Sequence, residues 1–312
     1  MRLFGLQLES AFPFEISLPT GEGPSDLTFQ LSESGSPLFE TDAALVFQHP
    51  IRRADGKRLS WLYRTEEDEI LVLPFGLEYR FGQDRITCRA EHAAAQALVE
   101  GRFLSTVLSY WLERKGVCVL HASALALDGH ATGFLSNQGG GKTGLAAALM
   151  RDGHALLTDD ILPVEERNGT FFGRSSYPQM KMWPDEAAQF FPDWEHLPRV
   201  HPQIAKRRIS VGEGHWGRFQ ESALPLGALY VPERREGGAI EIAPLSRSAA
   251  VIELVRHSFS PHLVQAVGLQ PARLDLFARL VRQVPVRRLL YPSGFERLPE
   301  VVEAVRRDLS SR

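Results

Sequence analysis

The stretch FLSNQGGGKTGLAAALM, residues 134–150, decides how the chain is read. Gly139, Gly140 and Gly141 can turn successive backbone N–H groups inward, forming a nest for phosphate oxygens. The Ala/Leu-rich segment behind them predicts a helix whose N-terminal amides and positive dipole end face the same anion. Lys142 supplies a cation for β- and γ-phosphates, and Thr143 a hydroxyl that can ligate Mg2+. The usual pattern G-x-x-x-x-G-K-[ST] begins with glycine, where this chain has Ser136. Serine is tolerated there provided its φ stays negative, because the amides that grip phosphate come later in the loop. A glycine-rich turn ahead of an Ala-rich helix is the competing reading, so the surroundings must decide.

Those surroundings form one α/β unit. VCVLHASALAL, the turn Asp128-Gly129 and HATGFLS predict a hairpin whose second strand feeds the loop. Residues 143–151 predict a helix, with Gly153 as its C-terminal cap. HALLTDD then predicts a buried parallel strand beside the loop strand, ending in Asp159 and Asp160. In open α/β sheets, ligands collect beyond such strand ends. One carboxylate there can hold Mg2+ and another can take a proton from an attacking hydroxyl; a solvated strand end is the plainer alternative. His121, within VLHASAL, reads either as a core histidine or as a catalytic group.

The remainder bounds the possibilities. The chain has 312 residues, 44% hydrophobic and 23% charged, with a net charge of −3. No overall basic field points to nucleic acid or an anionic membrane surface. Cys88 and Cys118 lack metal-ligand spacing, the N-terminus lacks the layout of a signal peptide, and no window of about 18 apolar residues suggests a membrane span. A cytoplasmic protein is expected.

Residues 1–90 read as short strands broken by Gly, Pro, Asp and Ser, a β-rich N-terminal domain. Apolar residues at three- and four-residue steps predict a connecting helix over 91–115, and a second, α/β domain is expected over 116–312. YPQMKMWPDEAAQFF reads as a turn and a short helix, and HPQIAKRRISVGEGHWG as a basic loop. Lys206, Arg207 and Arg208 there are either phosphate clamps or solvated charge; Arg234, Arg235, Arg287 and Arg288 read as surface charge.

Taken together, LHASALALDGHATGFLSNQGGGKTGLAAALMRDGHALLTDD resembles the catalytic core of HPr kinase/phosphorylase and its relatives. His121 lies 15 residues before Ser136 and Asp159 17 after Lys142, separations that match that family. The resemblance implies a P-loop kinase fold related to phosphoenolpyruvate carboxykinase, often assembled as a homo-oligomer, using ATP and Mg2+. It implies that Asn137, Gln138, Gly139, Gly140, Gly141, Lys142, Thr143 and Gly144 enclose the nucleotide phosphates. Thr143 and Asp160 would hold the metal, Asp159 would be the base for a substrate serine hydroxyl, and His121 would be its neighbour. The Glu-Ile-Arg-Gly motif of the bifunctional enzymes is absent. The corresponding stretch reads GRSSYPQMKMWPDEA, so phosphorylase activity and HPr recognition are not carried over. FGLQLESAFPFEISLP and LHASAL resemble instead a branch with a β-rich N-terminal region, some members of which phosphorylate precursor peptides, lasso peptides among them. The expected partner is a protein or peptide with an acceptor serine. A nucleotide-binding regulator without transfer activity and a kinase of a small-molecule hydroxyl are the alternatives.

Overall fold

The structure is a computed structural model that describes residues 1–32, 43–137, 139–201 and 204–311. Gln138, among the expected phosphate contacts, lies outside the described residues. The chain is mixed α/β with several sheets and divides into two compact units. Residues 1–115 with 260–271 form one, and residues 116–259 with 272–312 the other.

The first unit is built on eight strands: β1 (Arg2–Leu3), β2 (Leu6–Ser10), β3 (Leu27–Leu31), β4 (Ala44–Gln48), β5 (Trp61–Arg64), β6 (Glu69–Leu73), β7 (Leu77–Phe81) and β8 (Arg85–Ala90). They form one sheet in the order β1-β2-β3-β8-β7-β6-β5-β4. Alternation places one face inward: Leu77, Tyr79 and Phe81 are buried, whereas Glu78 and Arg80 between them are partly exposed. The helical run α1 (Ala93–Arg102), a π-helical turn (Phe103–Val107) and α2 (Leu108–Arg114) belongs to this unit. Its Phe103 ring stacks on Phe29 at 3.9 Å, and Tyr79 donates to the Val99 carbonyl at 3.1 Å.

The second unit begins with β9 (Cys118–Leu120), β10 (Ala122–Leu127) and β11 (His130–Leu135), followed by α3 (Lys142–Arg151), β12 (Ala155–Thr158), β13 (Leu162–Arg167) and β14 (Thr170–Gly173). Next come β15 (Gln179–Met182), α4 (Pro184–Phe190), β16 (Arg199–His201), β17 (Ile204–Ser210), β18 (Arg218–Phe219), β19 (Leu224–Arg235) and β20 (Glu241–Pro244). The chain closes with α5 (Arg247–Arg256), α6 (Pro261–Ala266, in the first unit), α7 (Gln270–Gln283), β21 (Val286–Pro292) and α8 (Leu298–Ser310). The main sheet runs β18-β12-β10-β11-β19-β14-β13-β9, with β21 paired to β19 and β20. Leu145, Ala146, Leu149, Phe134 and Tyr230 pack with Val301 and Val305 of α8, holding α3 against the sheet.

Three expectations change. The strand ending in the acidic pair does not adjoin the loop strand: β12 pairs antiparallel with β10, which separates it from β11. Since β10 is antiparallel to both, β11 and β12 still end on the same side. The basic stretch expected as a loop contains β17, whose Met180–Ile209 pairing with β15 supplies a buried face. Finally, the strand expected across 117–127 is broken at His121.

Candidate active site

That break assembles the site. Before it, β9 pairs with β13 through Leu120 and Leu162; after it, β10 pairs with β12 through Ala124 and Thr158. The partner chain jumps at the same level, between Thr158 and Leu162. Where the ladder is interrupted, His121 and Ser123 face Asp159 and Asp160. The His121 N–H is satisfied by the His257 carbonyl at 2.7 Å. Asp160 has φ +68, a region L-residues seldom occupy, and the Ile161 N–H donates across it to the Asp159 carbonyl at 2.9 Å. Such a turn costs roughly 1–3 kcal/mol and persists only where surrounding structure enforces it. It also aims the two carboxylates differently.

Asp159 points inward. Its Oδ1 accepts from Ser123 Oγ at 2.7 Å and lies 3.5 Å from Thr143 Oγ1, while Oδ2 accepts from the Lys181 N–H at 3.0 Å. Burial and the adjacent Asp160 raise its pKa, opposed by Lys142, Ser123 and the Lys181 amide. Asp160 Oδ1 lies 3.4 Å from Lys142 Nζ and 3.6 Å from His121 Nε2. Burial works to raise its pKa, but the His121 hydrogen bond and the charges of Lys181, Lys142 and Lys206 hold the carboxyl far below its usual value. His121 is therefore the neighbour of Asp160, not of Asp159.

The glycine loop joins β11 to α3 directly above this pair. Gly139 (φ +82) and Gly141 (φ +88) occupy the left-handed region, as an inward-turned run of amides requires. Gly140 is needed for a different reason: a methyl group there would overlap the Ser136 hydroxyl. Ser136 Oγ donates to the Asn137 carbonyl at 2.8 Å, and the Gly140 N–H donates to the same oxygen at 3.1 Å. The serine thus occupies space under the loop. At the start of α3, Lys142 and Thr143 are buried, and Gly144 faces the Phe295 ring and Glu186.

Several charged neighbours gave no motif. Arg234, read from sequence as surface charge, donates to the Gly139 carbonyl, and its side chain and the Tyr291 hydroxyl flank Gly141. It reaches the loop because β19 runs parallel beside β11 and ends at the same side. Lys181 is held by Tyr177 and the two aspartates, whose attraction outweighs burial and keeps it protonated. Glu186 accepts from the Trp183 N–H at 3.2 Å, its pKa raised by burial and by Asp159. Arg235, in contrast, pairs with Glu241, and Arg287 with Asp308. Among the described residues no cluster of three His, Cys, Asp or Glu side chains forms a metal cage, and no helix is long and apolar enough to cross a membrane.

No family model matches the chain, and no curated protein matches it. Among solved structures the chain is similar to the Hpr(Ser) kinase/phosphatase from Coxiella burnetii, at 12% identity and a TM-score of 0.32. The likeness covers 62% of this chain and 97% of that one. A score so low carries no argument about the site.

Proposed function

We propose that the second unit is an ATP-dependent phosphotransferase acting on a serine hydroxyl of a protein or peptide. The observation that carries this reading is the junction of the glycine loop with the acidic pair: Thr143 Oγ1 is 3.5 Å from Asp159, and Lys142 Nζ is 3.4 Å from Asp160. A decorative glycine turn has no need of a buried lysine, a buried threonine hydroxyl and two adjacent carboxylates, since each such group costs desolvation free energy.

Residues 139–143 would receive the phosphates through inward amides, the α3 dipole and Lys142. Thr143 and Asp159 offer oxygen donors suited to a hard cation, and Mg2+ arriving with a triphosphate needs only one or two protein ligands. When bound, the ion neutralises phosphate charge. Asp159 lies beside the Thr143 hydroxyl that would share the ion, and its Oδ2, bonded by the Lys181 amide, keeps a lone pair for it. Asp160 is partly exposed, is kept ionised and has His121 beside it. We therefore assign the metal side to Asp159 and the acceptor side to Asp160, exchanging the roles implied by the sequence resemblance. Asp160 accepts a hydrogen bond from the serine hydroxyl and aligns it. As the serine Oγ–P bond forms and the P–O bond to ADP breaks, the hydroxyl proton passes to an oxygen of the transferred phosphoryl group, because a carboxyl held so far below its usual value orients the hydroxyl and does not keep its proton. Such transfer is mostly positioning and electrostatic stabilisation.

The test is nucleotide-induced thermal stabilisation together with transfer of label from γ-labelled ATP to serine peptides. Wild type should show both, and Lys142→Ala neither. A wild-type protein with no response to ATP over the millimolar range would sink the reading.

A further inference from the structure

The sheet β15-β17-β16 has two unlike faces. Met180, Met182 and Ile209 turn toward the core and are buried. Directly opposite residues in an antiparallel ladder share a face, as do residues two apart. The pairing of Lys181 with Arg208 therefore puts Lys181, Lys206 and Arg208 together on the other face. Trp183 is on that side too, with its indole centre 5.4 Å from Lys206 Nζ. The three strands contain no acidic residue: they read QMKM, RVH and IAKRRIS.

This face borders the acidic pair. The Lys181 N–H bonds Asp159, and the charges of Lys181 and Lys206 help keep Asp160 ionised. Lys142 and Arg234 lie at the loop instead, on the side assigned to nucleotide. The acidic pair is thus bordered by two sets of cations, Lys142 and Arg234 at the loop and Lys181 and Lys206 on this sheet. Same-face residues on a strand are separated by about 7 Å, which is also the spacing of alternate side chains in an extended peptide. Lys206 and Arg208 have that separation in sequence.

Building on the phosphotransferase reading, we propose that the Lys181–Lys206–Arg208 face receives the acceptor, and that the acceptor is an extended peptide segment with Asp or Glu at alternate positions beside its serine. Its carboxylates would meet Lys206 and Arg208, since Lys181 is already held by Tyr177 and the two aspartates, while its serine reaches Asp160. A basic segment would set like charges against each other, which is strongly disfavoured.

The experiment offers the full chain a serine-centred peptide library with γ-labelled ATP. Acidic residues beside the serine should raise the initial rate about 10-fold or more over lysine, as one well-placed charge contact predicts. Arg208→Glu should reverse that order while leaving ATP-induced thermal stabilisation at the wild-type level. Anisotropy with a fluorescein-labelled acidic peptide should show binding that weakens as salt is raised. Equal rates for acidic, neutral and basic peptides overturn the proposal, as does intact ATP binding with no peptide labelled, which would direct attention to a small hydroxyl compound. A wild-type protein that fails to bind ATP is a different result, because it removes the phosphotransferase reading first.

Discussion

Each unit buries carboxylates, and the two sets are treated in opposite ways. In the first unit Glu69 is fully matched. Its Oε1 accepts from Arg64 Nε and Nη2 at 3.1 and 2.7 Å, and its Oε2 accepts from the Tyr110 hydroxyl at 2.6 Å with Arg114 Nε at 3.2 Å. Burial and the Glu69 charge push the Tyr110 phenol up, so it remains a donor. In the second unit Asp159 and Asp160 are adjacent like charges on a strained turn, and one is raised while the other is lowered. A network whose lone pairs are all matched fixes a structure. A pair whose pKa values are driven apart is the arrangement that acid–base and metal chemistry uses.

Breaking the second arrangement should have the largest effect. Asp160→Asn removes the negative charge that orients the serine hydroxyl yet keeps the side chain's shape. The expected loss in kcat is about 100-fold, the size of a lost positioning contact, with ATP affinity changed less than about threefold by the reading that Asp160 faces the acceptor. A normal kcat would transfer the role elsewhere, and a loss confined to ATP affinity would return Asp160 to the metal side.

Breaking the first should cost stability instead. Glu69→Ala leaves the buried Tyr110 hydroxyl without its acceptor, which costs about 1–3 kcal/mol, while the half-exposed Arg64 turns to solvent. Urea unfolding monitored by Trp61 or Trp111 fluorescence would measure it. A midpoint equal to wild type would mean that Glu69 is solvated in the native state, and the contrast between the units would fail.

The glycine loop gives a smaller, sharper test. Gly140→Ala should weaken ATP binding roughly 10- to 100-fold, since its methyl must push aside the Ser136 hydroxyl and distort the loop, a strain of about 1–3 kcal/mol. Ser136→Gly should restore much of the loss in the double variant, because it vacates the space beneath residue 140. Additive losses in the two variants would show that Ser136 does not shape the loop.

The parts of the site that could be read from sequence are those that lie close together in the chain. The loop, its helix and the acidic pair span residues 136–160, and local spacing locates these elements along the chain, whereas the strand β10 between their strands belongs to the ladder. His121 was visible, but its partner was not. Its pairing with Asp160 follows from two strands changing partners at one level, which is a property of the ladder. Arg234 lies 95 residues from the carbonyl that it meets, at the end of a strand whose neighbour was unknown. Lys181 and Lys206 were hidden by period: QMKM and IAKRRIS carry too few apolar residues to read as strands, because only one face is buried. In the first unit, alternation in LEYRF and LTFQL announced strands. The parallel pairings of β3 with β2 and β8 did not follow from it, since parallel neighbours need no short turn between them.

The smallest effect separates the two carboxylate sets most directly. Asp159→Asn removes a charge that burial and Asp160 both oppose, and an amide can still serve Ser123 and the Lys181 N–H by turning its oxygen to the latter. Stability near neutral pH should therefore stay the same or rise by about 1 kcal/mol, as functional sites commonly give up stability. The pH dependence follows from the same shift. Between the unfolded carboxyl's pKa and the raised native value, the native state binds more protons, so this group makes wild type less stable as pH rises. Asp159→Asn should lack that component, whereas loss of stability in acid from protonating Asp160, whose native pKa is lowered, should remain in both proteins. If Asp159→Asn instead destabilised the protein as much as Glu69→Ala does, Asp159 would be a matched structural charge like Glu69, and its place beside Thr143 would signify packing rather than chemistry.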